Sequence, residues 1–453
     1  MIRSFITALA MALAFALAPL QLAGAQITVN VGDGTAKPLP IAVPEFNAEP
    51  GEAREYGDQI AEVLRSDLRL TGLFELKKPE AFIQRDLDIG AEPRFADWKI
   101  IQTDALVVGE TEMLPDGRLR VAFRLWDIYG EQVMRLGGQP GRQYVTTPEN
   151  WRRIAHKIAD SIYTRLTGED GYLDTRIVYI AETGPKTARV KKLAIMDADG
   201  ANQQDLTSGA HTVLTPRFST SDQEITYMSY EGGTPRVYLF NIETGRQEVL
   251  GNFDGMTFAP RFSPDGRSVL FSQARGGNSD LYIMDLRTRQ EEQLTSHPDI
   301  DTSPSMSPDG RQIVFTSDRG GSPQLYVMNR DQSALTCPSG GRDTACRITF
   351  GEGRYSTPVW SPRGDLIAFT KQLRGRFYIG VIGTDGKGER LLTESYLDEG
   401  PTWSPNGRVI AFFREARPGA GPRLWSVDLT GKNLRQLPTP TDASDPAWSP
   451  LLD

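Results

Sequence analysis

From about residue 174 onward, apolar and polar positions alternate in short runs, each bounded by glycine, proline or aspartate. Ser268-Val269-Leu270-Phe271-Ser272 and Gln312-Ile313-Val314-Phe315-Thr316-Ser317 are two such runs, and residues 281–285 and 325–329 give two more. A period of two between turn residues is what a half-buried antiparallel strand needs. Before residue 168 the pattern differs. Ile60, Val63, Leu64 and Leu68 are spaced as on one face of a helix over residues 56–70. A second long helix is expected over 148–166, with Pro148 at its start and Thr147 as its cap. Strands are expected near 39–43, 105–109, 119–126 and 131–136, with a short helix near 95–101.

The all-β part repeats. Pro260-Arg261-Phe262-Ser263-Pro264-Asp265-Gly266 returns as Pro304-Ser305-Met306-Ser307-Pro308-Asp309-Gly310, as Pro358-Val359-Trp360-Ser361-Pro362-Arg363-Gly364 and as Pro401-Thr402-Trp403-Ser404-Pro405-Asn406-Gly407. Degenerate copies stand at Pro216 and Pro446, so the leading prolines are 44, 44, 54, 43 and 45 residues apart. A period in the forties, with four strands per unit, predicts a β-propeller. The count closes at six, because residues 174–215 lack the leading segment and the chain ends on an orphan copy, Pro446 to Pro450. The C-terminus is therefore expected to supply the inner strand of the first blade, which removes exposed strand edges. The fold class that follows is an all-β six-bladed β-propeller over 174–453, preceded by a small mixed α/β domain over 26–168. Residues 168–171 form the linker.

Residues 1–25 read as a secretory signal: Arg3 first, an apolar stretch from Ala8 to Leu17, and Ala23-Gly24-Ala25 at the cleavage site. The expected mature chain is soluble and exported. Its formal net charge is −8, or −9 once Arg3 is removed, without a basic stripe, which argues against nucleic acid and anionic lipid as partners. Cys337 and Cys346 are the two cysteines, both in the ten-residue excess between Pro304 and Pro358. In an oxidising compartment they are expected to form a disulfide worth roughly 2–3 kcal/mol.

Enzyme signatures are missing from the sequence: no Gly-x-Ser-x-Gly elbow, His-Glu-x-x-His, paired Cys-x-x-Cys or P-loop. His156, His211 and His297 are assigned solvent-facing or capping roles. Asp197-Ala198-Asp199-Gly200 resembles the start of a calcium loop without the later ligands, and is read as a turn. Ser-Pro-Asp-Gly recurs in successive blades, which fits architecture better than one catalytic centre. No catalytic residue, metal or cofactor is expected.

Two regions are candidates for partner binding. The alternating stretch Gln26, Ile27, Thr28, Val29, Asn30 and Val31, followed by Gly32-Asp33-Gly34, is either an edge strand or an arm that adds to another protein's sheet. The other region is the channel mouth, built from the six connections before each Pro-x-aromatic-Ser segment. These carry Met256, Phe258, Asp301, Thr302, Tyr355, Thr357, Asp398, Glu399 and Asp445. With Asp299 and Asp442 added, acidic residues outnumber Arg354, so the mouth is expected to be acidic, with Phe258 and Tyr355 as apolar anchors. Six such connections present roughly 800 Å², the usual share of a specific interface.

The signal, the small α/β domain, the six Pro-x-Trp/Phe-Ser-Pro-Asp-Gly blades, the terminal Pro-Ala-Trp-Ser-Pro and the strand Asp104-Ala105-Leu106-Val107-Val108-Gly109 together resemble the TolB family of the Gram-negative Tol–Pal envelope system. The resemblance covers the whole mature chain. It implies a periplasmic, non-enzymatic adaptor that binds the lipoprotein Pal at the channel mouth and TolA through its N-terminal segment, supporting outer-membrane integrity and invagination during cell division. Met256 stands in a mouth connection where some relatives have histidine, and the insertion with Cys337 and Cys346 is a second departure. The alternative is a periplasmic propeller hydrolase acting on peptide or carbohydrate, and a third reading is a purely structural scaffold.

Overall fold

The computed structural model describes Val29 and residues 37–85, 87–220, 223–251, 253 and 255–452. The expected signal and five of the six arm residues (Gln26, Ile27, Thr28, Asn30 and Val31) lie outside the described residues.

The N-terminal region is a mixed sheet with helices on both faces. Its strands are β1 (Leu39–Ala42), β2 (Phe74–Leu76), β3 (Ala105–Met113), β4 (Leu119–Asp127), β5 (Gln132–Met134) and β6 (Arg142–Thr146). The order is β2-β1-β3-β4-β5, with β6 also paired to β4. Only β1 pairs in parallel, with β2 and β3. The helices are α1 (Glu52–Leu70), α2 (Phe95–Ile100) and α3 (Trp151–Thr167). α1 and α3 bury Ile60, Leu64, Ile158 and Ile162 against one sheet face, where Val107, Val121 and Phe123 point. α2 closes the other face with Trp98 against Leu106, Val108 and Trp126. Two short strands, β2 and β6, carry too few apolar positions to show in the sequence pattern. Thr147 does not cap α3 as expected: Pro148–Asn150 is a 3₁₀ turn, and the Thr147 hydroxyl accepts from the Asn150 side-chain amide at 3.1 Å.

The propeller closes at six four-stranded blades. Asp442–Trp448 pairs antiparallel with Arg176–Thr183, so the last strand of the chain is the innermost strand of blade 1. Blades 2 to 6 then begin with inner strands Val213–Phe218, Met256–Phe262, Asp301–Met306, Arg354–Trp360 and Leu397–Trp403. Serine of the repeated turn is used as a staple. Ser263 Oγ donates to Asp265 at 2.6 Å and accepts the Ser268 N–H at 3.0 Å. Ser307 with Asp309 and Ser404 with Asn406 repeat that arrangement. A hydroxyl spent on holding its own turn is not a nucleophile. The excess in blade 4 is a hairpin, Leu335–Thr336 with Arg342–Asp343, and Cys337 in it is bonded to Cys346 on the outer strand.

The two parts share one core. Ile158, Ile162 and Tyr163 of α3 belong to the same apolar cluster as Tyr179, Val409, Leu424 and Trp448 of the propeller. The connecting segment is pinned rather than loose. Asp160 on α3 accepts backbone N–H bonds from Tyr172, Leu173 and Asp174 at 2.8 to 2.9 Å. Burial lifts its carboxyl to about 6 against the pull of those bonds. A Cβ on Gly171 would sit 2.3 Å from that carboxylate, so the close approach requires glycine.

Candidate docking face and channel

The ring has two unlike ends. In each blade the inner strand starts at one end, together with the connection between strands two and three. The Ser-Pro-Asp-Gly turns and the connections between strands three and four lie at the other. The N-terminal region covers that second end: Asn406 donates to the Asp170 carbonyl at 2.8 Å, Asn433 to the Leu70 carbonyl at 2.9 Å, and Arg363 pairs with Glu169 at 3.2 Å. The first end is left open. Val190, Tyr230, Met256, Ile300, Phe350 and Tyr396 are exposed large apolar residues, and all six lie at that end, Val190 and Met256 as the first residues of strands and the other four in connections; elsewhere on the propeller only Leu391, Leu434 and Leu451 are comparable among the described residues. Apolar side chains gathered at one end of a ring mark a surface suited to another protein.

The six segments expected to be mouth loops are instead the first halves of the inner strands, which is a correction. Each ladder breaks at the same place, for example between Leu214 and Arg217 in blade 2 and between Glu399 and Thr402 in blade 6. The residue before the leading proline has positive φ in all six: Thr215 at 47°, Ala259 at 50°, Ser303 at 56°, Thr357 at 47°, Gly400 at 67° and Asp445 at 50°. For the five that are not glycine this costs roughly 1–2 kcal/mol each. The bulge it makes turns the inner strand to follow the channel wall.

The expected acidic mouth is also corrected, because most of its charges are spent inside the fold. Asp301 is 0 % exposed and takes both its bonds from Arg319, at 2.9 and 2.7 Å. Asp398 is likewise buried and held by Arg414 at 2.7 Å. Asp442 pairs with Arg189 and Arg423. Tyr355, expected as an anchor, is fully buried, with its hydroxyl on Glu389 and the Lys371 ammonium 4.6 Å above its ring. Phe258, Thr302 and Thr357 are half-buried on the inner strands, the last donating to Thr370 at 2.8 Å. Met256 stays on the rim at 37 % exposure. What remains acidic is Asp299, half-exposed beside His297 at 3.2 Å, and the neighbouring pair Glu399 and Asp445. Burial and the Asp445 carboxylate push Glu399 to about 7. Burial raises Asp445 too, against the fields of Arg217 and Lys191.

The sequence reading missed the rim residues Val190, Tyr230, Ile300, Phe350 and Tyr396, which are apolar singletons without a pattern. It also missed Arg217 and Arg261, although both stand in the quoted repeats directly after the leading proline.

His156 is corrected as well. It is 3 % exposed on α3, and its Nδ1 lies 2.7 Å from Asp67 on α1. Burial alone would lower its pKa, but Asp67, Asp199 and Asp197 outweigh that and raise it to about 9. Asp199 comes from the blade 1 turn and is bonded by Arg152. The Asp67, His156 and Asp199 side chains are close enough together to ligate a cation. Protonated His156 and Arg152 already supply the positive charge, so the cluster is an ion-pair network welding α1, α3 and blade 1.

A cavity of about 960 Å³ lies beside α3 and β5, well away from the mouth. Ser161 in its wall donates to the Lys157 carbonyl at 2.8 Å and accepts from Arg142 at 3.2 Å.

A family model described as the TolB amino-terminal domain matches residues 27–134, and one described as the TolB beta propeller domain matches residues 163–452. The Tol-Pal system protein TolB of Paramagnetospirillum magneticum is 55 % identical over 435 residues, covering 95 % of this chain and 94 % of that protein. The chain belongs to the TolB family. The crystal structure of TolB from Acinetobacter baumannii superposes with a TM-score of 0.79 at 28 % identity, covering 94 % of this chain and 100 % of that one. The TolB architecture of α/β region plus six-bladed propeller therefore holds here. No helix among the described residues is long and apolar enough to cross a membrane.

Proposed function

We propose that this TolB-family chain is a non-enzymatic periplasmic adaptor of the Tol–Pal system. Pal docks on the open end of the propeller, and TolA takes the segment 26–31. In that role the protein supports outer-membrane integrity and invagination during cell division. The observation that carries this reading is the gathering of six exposed apolar side chains on the one end that the N-terminal region leaves uncovered.

Val29 bears on the TolA arm. Its side chain is buried in the core shared with α3, and its N–H donates to the Leu166 carbonyl at 2.7 Å. Capture of this segment by strand addition has to displace that contact, so part of the binding energy is spent on release.

The rim is tested with Met256→Glu/Ile300→Glu, two exposed positions on adjacent blades. Affinity for the soluble domain of Pal, measured by surface plasmon resonance, should fall at least tenfold with an unchanged melting temperature, since two apolar contacts of a docked face are worth more than about 1.4 kcal/mol. Unchanged Pal affinity in the folded double variant would remove the open end as the docking site. Trimming residues 26–31 should abolish TolA binding and leave Pal binding in place, and retained TolA affinity would overturn the arm.

A further inference from the structure

The inner strands of blades 2 and 3 each place an arginine directly after the leading proline, Arg217 and Arg261. The equivalent residues of the other four blades are Ser305, Val359, Thr402 and Ala447, all buried and none charged. This position lies along the channel wall. Ser305 Oγ accepts the Trp360 N–H and Thr402 Oγ1 the Trp448 N–H, in both cases from the inner strand of the next blade, at 3.1 Å. Two guanidinium groups therefore stand on neighbouring strands of a channel whose remaining places at that level are small or uncharged.

Neither is held by a carboxylate in direct contact among the described residues. Arg217 donates to its neighbour, the Pro216 carbonyl, at 2.6 Å, which neutralises nothing. Asp445 is the carboxylate whose field reaches Arg217, and it also accepts the Thr215 N–H. Among the described residues, the charge that acts on Arg261 is the like charge of Arg217. Among the described residues neither arginine makes an ion pair. Burial pushes both pKa values down, Arg261 furthest because Arg217 adds repulsion. Arginine keeps its proton in proteins, so the stress falls on the pair as a demand for a counter-anion.

We infer that Arg217 and Arg261 form a binding site for one small oxyanion, a carboxylate or phosphate, inside the propeller channel. Their forked N–H donors match the paired oxygens of either group. Depth selects a diffusible ligand over a side chain of a docked protein. Arg261 lies five residues down the strand from Met256 at the rim, roughly 16 Å at the rise of a β-strand. The site does not depend on which protein occupies the open end.

The test uses the full mature chain in dilute buffer, with sodium phosphate or sodium acetate compared with chloride at equal ionic strength. Isothermal titration calorimetry should show one oxyanion bound per chain, and the same oxyanion should raise the melting temperature in a saturable way. Arg261→Met should lose at least tenfold in that affinity and melt above wild type when no oxyanion is present, because the repulsion is gone. Arg261→Lys should bind more weakly than wild type but better than the Met variant. Arg217→Met is an independent second variant and should lose the same response. No saturable response in the wild type, or an undiminished response in the Arg-to-Met variants, overturns the site.

Discussion

Replacing His156 with leucine tests what holds the two halves of the molecule together. The imidazole nitrogen and the Asp67 carboxylate are 2.7 Å apart and nearly free of solvent. At an effective dielectric of about 20 their gross attraction is about 6 kcal/mol. Desolvation cancels much of it, so the pair as a whole adds little net stability. Removing one partner is different, because Asp67 then remains buried and unpaired, a penalty of about 3–5 kcal/mol. His156→Leu should therefore lower the melting temperature on the order of 5 °C or more, followed by tryptophan fluorescence. The double variant Asp67→Leu/His156→Leu should recover most of the loss, a coupling of at least about 2 kcal/mol. The pH dependence has a definite sign. The folded-state pKa of His156, about 9, is above its ordinary 6.5, so the stabilisation is complete below 6.5 and is lost as pH rises through 9. Wild type should lose stability over that window and the double variant should not. A single variant as stable as wild type, or a double variant no better than the single, would refute the ion-pair account.

Glu399→Gln should stabilise the protein at pH 8 and leave it unchanged at pH 4, because the folded carboxyl titrates near 7, above its ordinary 4.5, and is disfavoured only when charged; equal melting curves at pH 8 would contradict the acidic pairing with Asp445. Deleting residues 446–453 removes Trp448, whose indole N–H donates to Thr175 at 2.8 Å, and opens the edge of blade 1. The truncated chain should melt well below wild type, and an unchanged melting temperature would show that the last strand does not close the ring.

Sequence alone determined the architecture, because strand period, turn chemistry and a repeat in the forties are local properties. Six copies of one unit with an orphan at the end leave ring closure as the economical arrangement. The resemblance to TolB could be read for the same reason, from motifs contiguous in the chain. What only the tertiary structure decided is which charges are available. Asp301 and Asp398 read as free acids until Arg319, in the turn after the adjacent strand, and Arg414, on the adjacent strand, come against them, 18 and 16 residues away. His156 looked like a surface histidine on a helix, and Asp67, 89 residues earlier, makes it a buried cation. Arg217 and Arg261 are 44 residues apart, and the blade repeat sets them on neighbouring strands. Pairing and desolvation depend on distances between segments remote in sequence, and no periodicity encodes them.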